Sequence, residues 1–187
     1  MQSPIFVVSG PPAAGKTTIS RALLQNFERG LHIPVDDLRE WVVKGIAHPI
    51  QWSEETTRQF TLAEEAAADL AIRYQDAGFA VAIDHCQGPP TLDQLVQQRF
   101  AGRAVVKLAI VCSLDLNLHR NASRGGKWFE PEILIKTITK LNRLYQNEPI
   151  SDSGWAVIDN SGSIEETVAA IQALSPSLFK ADATRHS

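Results

Sequence analysis

Five short, mostly apolar runs punctuate the chain at residues 5–8, 31–35, 79–83, 104–112 and 155–158, the fourth interrupted only by Lys107. Continuous apolar runs, as opposed to alternating ones, predict strands buried on both faces, which is the pattern of a parallel sheet. Between the runs, apolar residues recur at helical spacing. Ile19, Leu23, Leu24 and Phe27 predict a helix over 16–29, stopped by Gly30. Further helices are predicted over 37–44, 53–78, 91–100, 114–122, 131–145 and 163–174. Ser53 is the N-cap of the long Ala- and Glu-rich helix, without a full capping box because Thr56 stands where Glu or Gln is usual. Gly88-Pro89-Pro90 breaks the chain, and Pro131 opens a helix. Strand and helix alternate throughout, so the expected fold is α/β, with five parallel strands covered by helices on both faces. One domain over 1–187 is expected, with a loosely held tail from about 175 to 187.

Composition narrows the function classes. Hydrophobic residues make up 44% of 187 residues, ordinary for a globular protein, and the formal net charge is −3. That balance gives no general attraction to nucleic acid or anionic membrane. Two cysteines, Cys86 and Cys112, are too few for a disulfide framework and read as small core residues. The start Met1-Gln2-Ser3-Pro4 lacks the basic and apolar segments of a secretion signal, and no apolar run reaches membrane-spanning length. A cytoplasmic location without membrane attachment is the expectation.

The strongest chemical signal is Gly10-Pro11-Pro12-Ala13-Ala14-Gly15-Lys16-Thr17, which fits G-x-x-x-x-G-K-[ST] at every fixed position. Glycines stand where backbone N–H groups must wrap closely around phosphate oxygens, and the helix that follows points its positive end at the anion. Lys16 neutralises the β and γ phosphates, and the Thr17 hydroxyl is the Mg²⁺ ligand. Thr18 completes the phosphate-binding segment. Four constrained positions give less than about one chance match per hundred chains of this length, and here a strand precedes and a helix follows. ATP and Mg²⁺ are therefore the expected cofactors.

Other candidates lie at the ends of predicted strands, where ligands bind in such sheets. Asp36 and Asp37 end the second strand; one can accept the proton of an attacking hydroxyl while the other caps a helix. Arg39 can hold an anionic or polar group of the acceptor. Asp84 ends the third strand and can order Mg²⁺ through water or hold the acceptor hydroxyl, while His85 reads as a strand-end residue. Arg120 and Arg124 share a helical face and are followed by Gly125-Gly126 and Lys127, the composition of a hinged lid over about 120–130 that closes on ATP. Trp41, His48 and Trp52 lie where an acceptor pocket would form, and Asp159-Asn160-Ser161-Gly162 is a turn that can lie against the adenine.

Together the cradle, Asp36-Asp37-Leu38-Arg39, Ile83-Asp84 and Arg120-Asn121-Ala122-Ser123-Arg124-Gly125 resemble the adenylate-kinase-like branch of P-loop kinases. Two relatives stand out within it. One is the small-molecule group of chloramphenicol phosphotransferase, gluconate kinase and zeta-toxin-like proteins; the other is the kinase module of polynucleotide kinases. The resemblance spans about residues 4 to 174. It implies the strand order 2-3-1-4-5, Asp36 as base, Arg39 and Asp84 as acceptor contacts, and Arg120 and Arg124 as lid residues on ATP, with Lys16 and Arg124 stabilising the transferred phosphoryl group. The absence of the phosphatase or ligase domains that often accompany polynucleotide kinases, and the acidic balance, favour a small-molecule hydroxyl acceptor over a nucleic-acid 5′-hydroxyl. A non-catalytic nucleotide-binding module is the third reading.

Overall fold

The computed structural model describes residues 2–49, 51–123, 131–147 and 150–179. Five strands, β1 (Ile5–Ser9), β2 (Gly30–Pro34), β3 (Ala80–Asp84), β4 (Val105–Val111) and β5 (Trp155–Asp159), form one parallel sheet in the order β2-β3-β1-β4-β5. The predicted architecture and strand order are both found. Because β1 is central, its side chains alternate between two buried faces. Ile5 and Val7 meet one core, Phe6 and Val8 the other.

The helices are α1 (Lys16–Leu24), α2 (Val35–Glu40), α3 (Glu54–Asp76), α4 (Pro89–Arg99), α5 (Leu114–Ala122), α6 (Ile135–Asn147), α7 (Ile164–Leu174) and the single turn α8 (Pro176–Phe179). Ala63, Ala67, Ala68 and Ala71 form the buried stripe of α3 and pack with Ile5, Val7, Val81 and Ile83 in one core. Small side chains at this spacing let the helix lie close on the sheet. Ile19 and Leu23 of α1 and Val168 and Ile171 of α7 pack the opposite face.

Several boundaries differ from expectation, each for a local reason. The first helix stops at Leu24, not near residue 29, because the Asn26 amide donates to the Ala22 and Leu23 carbonyls at 3.2 and 3.0 Å and closes the helix end. Gly30 then begins β2. The helix after β2 starts at Val35 with Pro34 as its flanking residue, so Asp36 and Asp37 occupy its first turn and neither is a strand tip. Pro89 and Pro90 open α4 where a break was expected, since the first helical turn needs no N–H from them. Ser53 does form a capping box: its hydroxyl accepts from Thr56 N–H, and Thr56 Oγ1 accepts from Ser53 N–H at 3.2 Å. Threonine thus substitutes for the longer Glu or Gln. Pro131–Leu134 is a 3₁₀ turn that leads into α6. The expected tail is anchored at its start, with the Phe179 ring 5.1 Å from Phe27 and 6.3 Å from Phe6. Among the described residues no helix is long and apolar enough to cross a membrane.

Candidate active site

The segment between β1 and α1 loops around the N-terminus of α1. Gly10, Ala13 and Gly15 have φ of 149°, 61° and 95°. A side chain at Gly10 would collide with the Ile110 carbonyl, and one at Gly15 with the Asn160 amide. Both glycines are therefore required by conformation and by space. The loop is braced from outside. Asn117 Nδ2 donates to the Pro12 carbonyl at 2.6 Å and Asn160 Nδ2 to the Ala14 carbonyl at 2.8 Å. Asn160 Oδ1 in turn accepts from Thr167 Oγ1 of α7 at 3.0 Å, and its carbonyl accepts from Arg120 Nη1 at 3.0 Å. Lys16 Nζ bridges the loop by donating to the Gly10 and Pro11 carbonyls at 3.0 and 3.1 Å.

Thr17 Oγ1 donates to Asp84 Oδ2 at 2.5 Å. His32 presents Nε2 to the same oxygen at 3.5 Å, while its Nδ1 accepts from Arg21 Nε at 3.4 Å. Burial opposes charge on Asp84 most strongly. His32, the Lys16 ammonium and the Thr17 hydroxyl together outweigh it, and the carboxyl titrates below its ordinary value. The result is an anionic carboxylate beside a hydroxyl, a pair of hard oxygen donors of the kind Mg²⁺ prefers.

A cavity of 830 Å³ opens from the cradle toward α2 and α3. Lys16, Thr17 and Thr18 line it together with Asp84, and so do Asp36, Asp37, Arg39, Phe60 and Cys86. The register of β2 on β3 pairs Pro34 with Asp84, so Asp36 and Cys86 each lie two residues beyond that pair. Cys86 Sγ donates to Asp36 Oδ1 at 3.5 Å. Burial, then the Asp36 carboxylate, push the thiol well above its ordinary range. Cys86 is thus a partly buried wall of the cavity and not the core residue expected, whereas Cys112 is buried as expected. Arg39 is 5% exposed. Its Nη2 donates to the Ala47 carbonyl at 2.8 Å and its guanidinium lies 4.1 Å from the centre of the Phe60 ring. Trp52 stacks on Phe60 at 5.2 Å with 7° between the planes and also borders the cavity.

Of the other expected residues, Arg120 borders the cavity, as do Asn160, Gly162 and Ile164. Arg124 and the rest of the expected lid from 124 to 130, with Gly125, Gly126 and Lys127, lie outside the described residues. Pro12 and Ala13 border the cavity, while Ala14 is fully buried. Trp41 is exposed and away from the cavity wall, and His48 Nδ1 accepts from Gln51 N–H at 3.1 Å. His85 is a buried brace: Nδ1 accepts from Gln87 N–H at 2.9 Å, which leaves Nε2–H to donate to Glu64 at 2.8 Å.

Sequence reasoning missed Asn117, Phe60, Glu64, Ser9 and Tyr145. Ser9 Oγ donates to the Gln87 carbonyl at 2.6 Å and meets Tyr145 Oη at 2.5 Å under the cradle. Burial pushes the Tyr145 phenol up to about 12. Asn117 and Asn121 carried a readable signal, since amides four apart on the buried face of a helix must be held for a polar partner.

Comparison with solved structures gives the same fold at low identity. A sugar kinase from Janibacter sp. HTCC2649 matches with a TM-score of 0.66 at 18% identity, covering 94% of this chain and 98% of that one. Shikimate kinase from Acinetobacter baumannii, in complex with shikimate, matches with 0.60 at 20%, covering 94% of each. A gluconokinase from Sinorhizobium meliloti 1021 matches with 0.61 at 17%, covering 97% and 98%. No curated protein matches the sequence. A family model, described as chloramphenicol phosphotransferase-like protein, matches residues 3–134. That span contains the whole cradle, α2, the aromatic pair and Arg120, and on it the chain belongs to the chloramphenicol phosphotransferase-like family of kinase-fold small-molecule phosphotransferases.

Proposed function

We propose that the protein transfers the γ-phosphate of ATP to a hydroxyl group of a small, uncharged, partly aromatic molecule. The observation that carries this reading is a single cavity bordered at one end by a complete phosphate cradle and at the other by the half-buried Asp36 carboxylate. Backbone N–H groups of Ala13 and of Gly15 to Thr18 hold the phosphates, and Lys16 moves from the loop carbonyls to neutralise them. The chemistry that bound Mg²⁺ and ATP supply is a γ-phosphoryl group activated for in-line transfer. Thr17 holds the ion and Asp84 orders its surroundings or the acceptor hydroxyl. Arg120 and Arg124 offset charge on the nucleotide side. Asp36 takes the acceptor proton.

The acceptor end supports an uncharged substrate. Arg39 is already engaged with Ala47 and Phe60, and the exposed carboxylates of Asp37 and Glu40 border the cavity. The carboxylates disfavour an oligonucleotide, whose phosphates need several cations, and among the described residues Lys140 is the further cation on the cavity wall. The flat faces of Trp52 and Phe60 suit a ring. The test is a screen for ATP-dependent mass gain of 80 Da-class phosphoryl adducts (about 80 Da) on neutral aryl alcohols including chloramphenicol, on sugars and hydroxy acids, and on 5′-hydroxyl oligonucleotides. Phosphorylation of neutral alcohols is expected. Transfer only to oligonucleotides, or to none of these, overturns the proposal.

A further inference from the structure

The two residues that lie two places beyond the Pro34–Asp84 register pair differ in how firmly they are held. Asp36 sits on the first turn of a six-residue helix and is half-buried at the cavity wall. Nothing about a short helix fixes a carboxylate rotamer there. The segment carrying Cys86, in contrast, is pinned on both sides. His85 N–H donates to the Val8 carbonyl at 2.9 Å, and the His85 ring is fixed between Gln87 N–H and Glu64. The Gln87 carbonyl accepts from Ser9 Oγ at 2.6 Å. The backbone on either side of Cys86 is therefore tied to β1 and α3, and its thiol is directed at Asp36 Oδ1 at 3.5 Å.

We propose that Cys86 is a positioning residue for Asp36, its S–H fixing one carboxylate oxygen so that the other is presented to the acceptor hydroxyl. The inference rests on the reading of Asp36 as the base. A carboxylate has about four acceptor positions, so one thiol contact leaves room for the substrate. The donor must also stay protonated beside a negative group. Burial and the Asp36 charge hold the thiol above its ordinary range, which keeps the proton on sulfur at neutral pH. Sulfur is a weak donor, so it orients the base while drawing little charge from it; a hydroxyl in its place would orient equally and hold the carboxylate more tightly.

The first test needs no acceptor. Iodoacetamide labelling of Cys86, mapped by mass spectrometry at pH 7.5, is compared between the wild-type protein and Asp36→Asn, with circular dichroism confirming that both are folded. Freeing the S–H from the carboxylate that holds it should speed alkylation severalfold. Equal rates overturn the contact and the proposal with it. The second test measures transfer with the acceptor identified by the mass-gain screen. Cys86→Ala should lower kcat about tenfold with the ATP KM within about twofold, because a misaimed base slows chemistry and not nucleotide binding. Cys86→Ser should restore kcat to within about threefold. Alanine and serine variants that behave alike overturn the positioning role while transfer itself stands. A wild-type protein that labels as expected and transfers phosphate to no hydroxyl overturns the proposed function, and this inference falls with it.

Discussion

Thr17 Oγ1 donates to Asp84 Oδ2 at 2.5 Å, so the start of α1 is bonded to the end of β3. The Asp84 carboxyl is held below its ordinary value in the fold although burial works against it. A carboxyl depressed by folding contributes stability that is present above its unfolded value and is lost as pH falls through the folded one. The melting temperature of the wild-type protein should therefore drop as pH is lowered below about 4. Asp84→Asn should show a shallower decline over the same range. Parallel Tm-against-pH curves for the two proteins would remove Asp84 from the acid sensitivity.

Lys16→Ala deletes the ammonium that spans the cradle. Turnover should be lost and ATP affinity should weaken, because nothing else described in the loop carries positive charge toward the phosphates. Isothermal titration with ATP, beside a transfer assay, checks both. Retained turnover would sink the kinase reading.

Asp36→Asn keeps shape and removes proton affinity. It should leave ATP binding within a few-fold and cut transfer roughly 10²–10⁴-fold. Asp37→Asn should cost only a favourable charge in the first turn of α2, about 0.3–1 kcal/mol. The paired assay is nucleotide titration and transfer to the acceptor. A dead Asp37→Asn with a healthy Asp36→Asn would move the base by one residue, which the helical placement of both makes a clean distinction.

Trp52→Ala removes the outer ring of the stack on Phe60. The acceptor KM should rise about fivefold with little change in ATP KM, as expected when a stacking partner worth about 1 kcal/mol is lost. An unaltered acceptor KM would place the substrate elsewhere in the cavity.

Asn160→Ala leaves the Ala14 carbonyl without its side-chain partner, while the Thr167 hydroxyl keeps the Ser163 carbonyl. Each unsatisfied buried group costs about 1–3 kcal/mol, so thermal stability and ATP affinity should fall together. Calorimetry of the variant with and without ATP separates the two effects. A loss of stability with unaltered affinity would show that the brace does not shape the cradle.

The strands and the cradle were legible because their signals are local: apolar runs of strand length, and glycines that only a tight phosphate loop requires. That Asp84 ends β3, that Asp36 closely follows β2 and that Arg120 lies on the helix after β4 could be read along the chain, and all three border the cavity. Phe60, Cys86 and Glu64 were not, because each acts across the fold from a residue far away in sequence. Cys86 meets Asp36 only through the β2–β3 register, and Glu64 meets His85 only because α3 crosses beneath β3. Arg39 was read as an acceptor contact; its partners in the fold, the Ala47 carbonyl and the Phe60 ring, have no local signature. The helix boundary at Leu24 was misjudged because an asparagine two residues on competes for carbonyls that periodicity alone assigns to another turn.

The alanine stripe of α3 has a consequence for how the acceptor end can vary. Phe60 and Glu64 ride on the same helix as Ala63, Ala67, Ala68 and Ala71, whose small side chains set how near it lies to β1 and β3. A larger residue at Ala67 would lift the helix, and the lift would carry the Phe60 ring away from Arg39 and draw Glu64 off His85. The width of the substrate mouth is thus adjustable from inside the core, by residues no substrate ever touches.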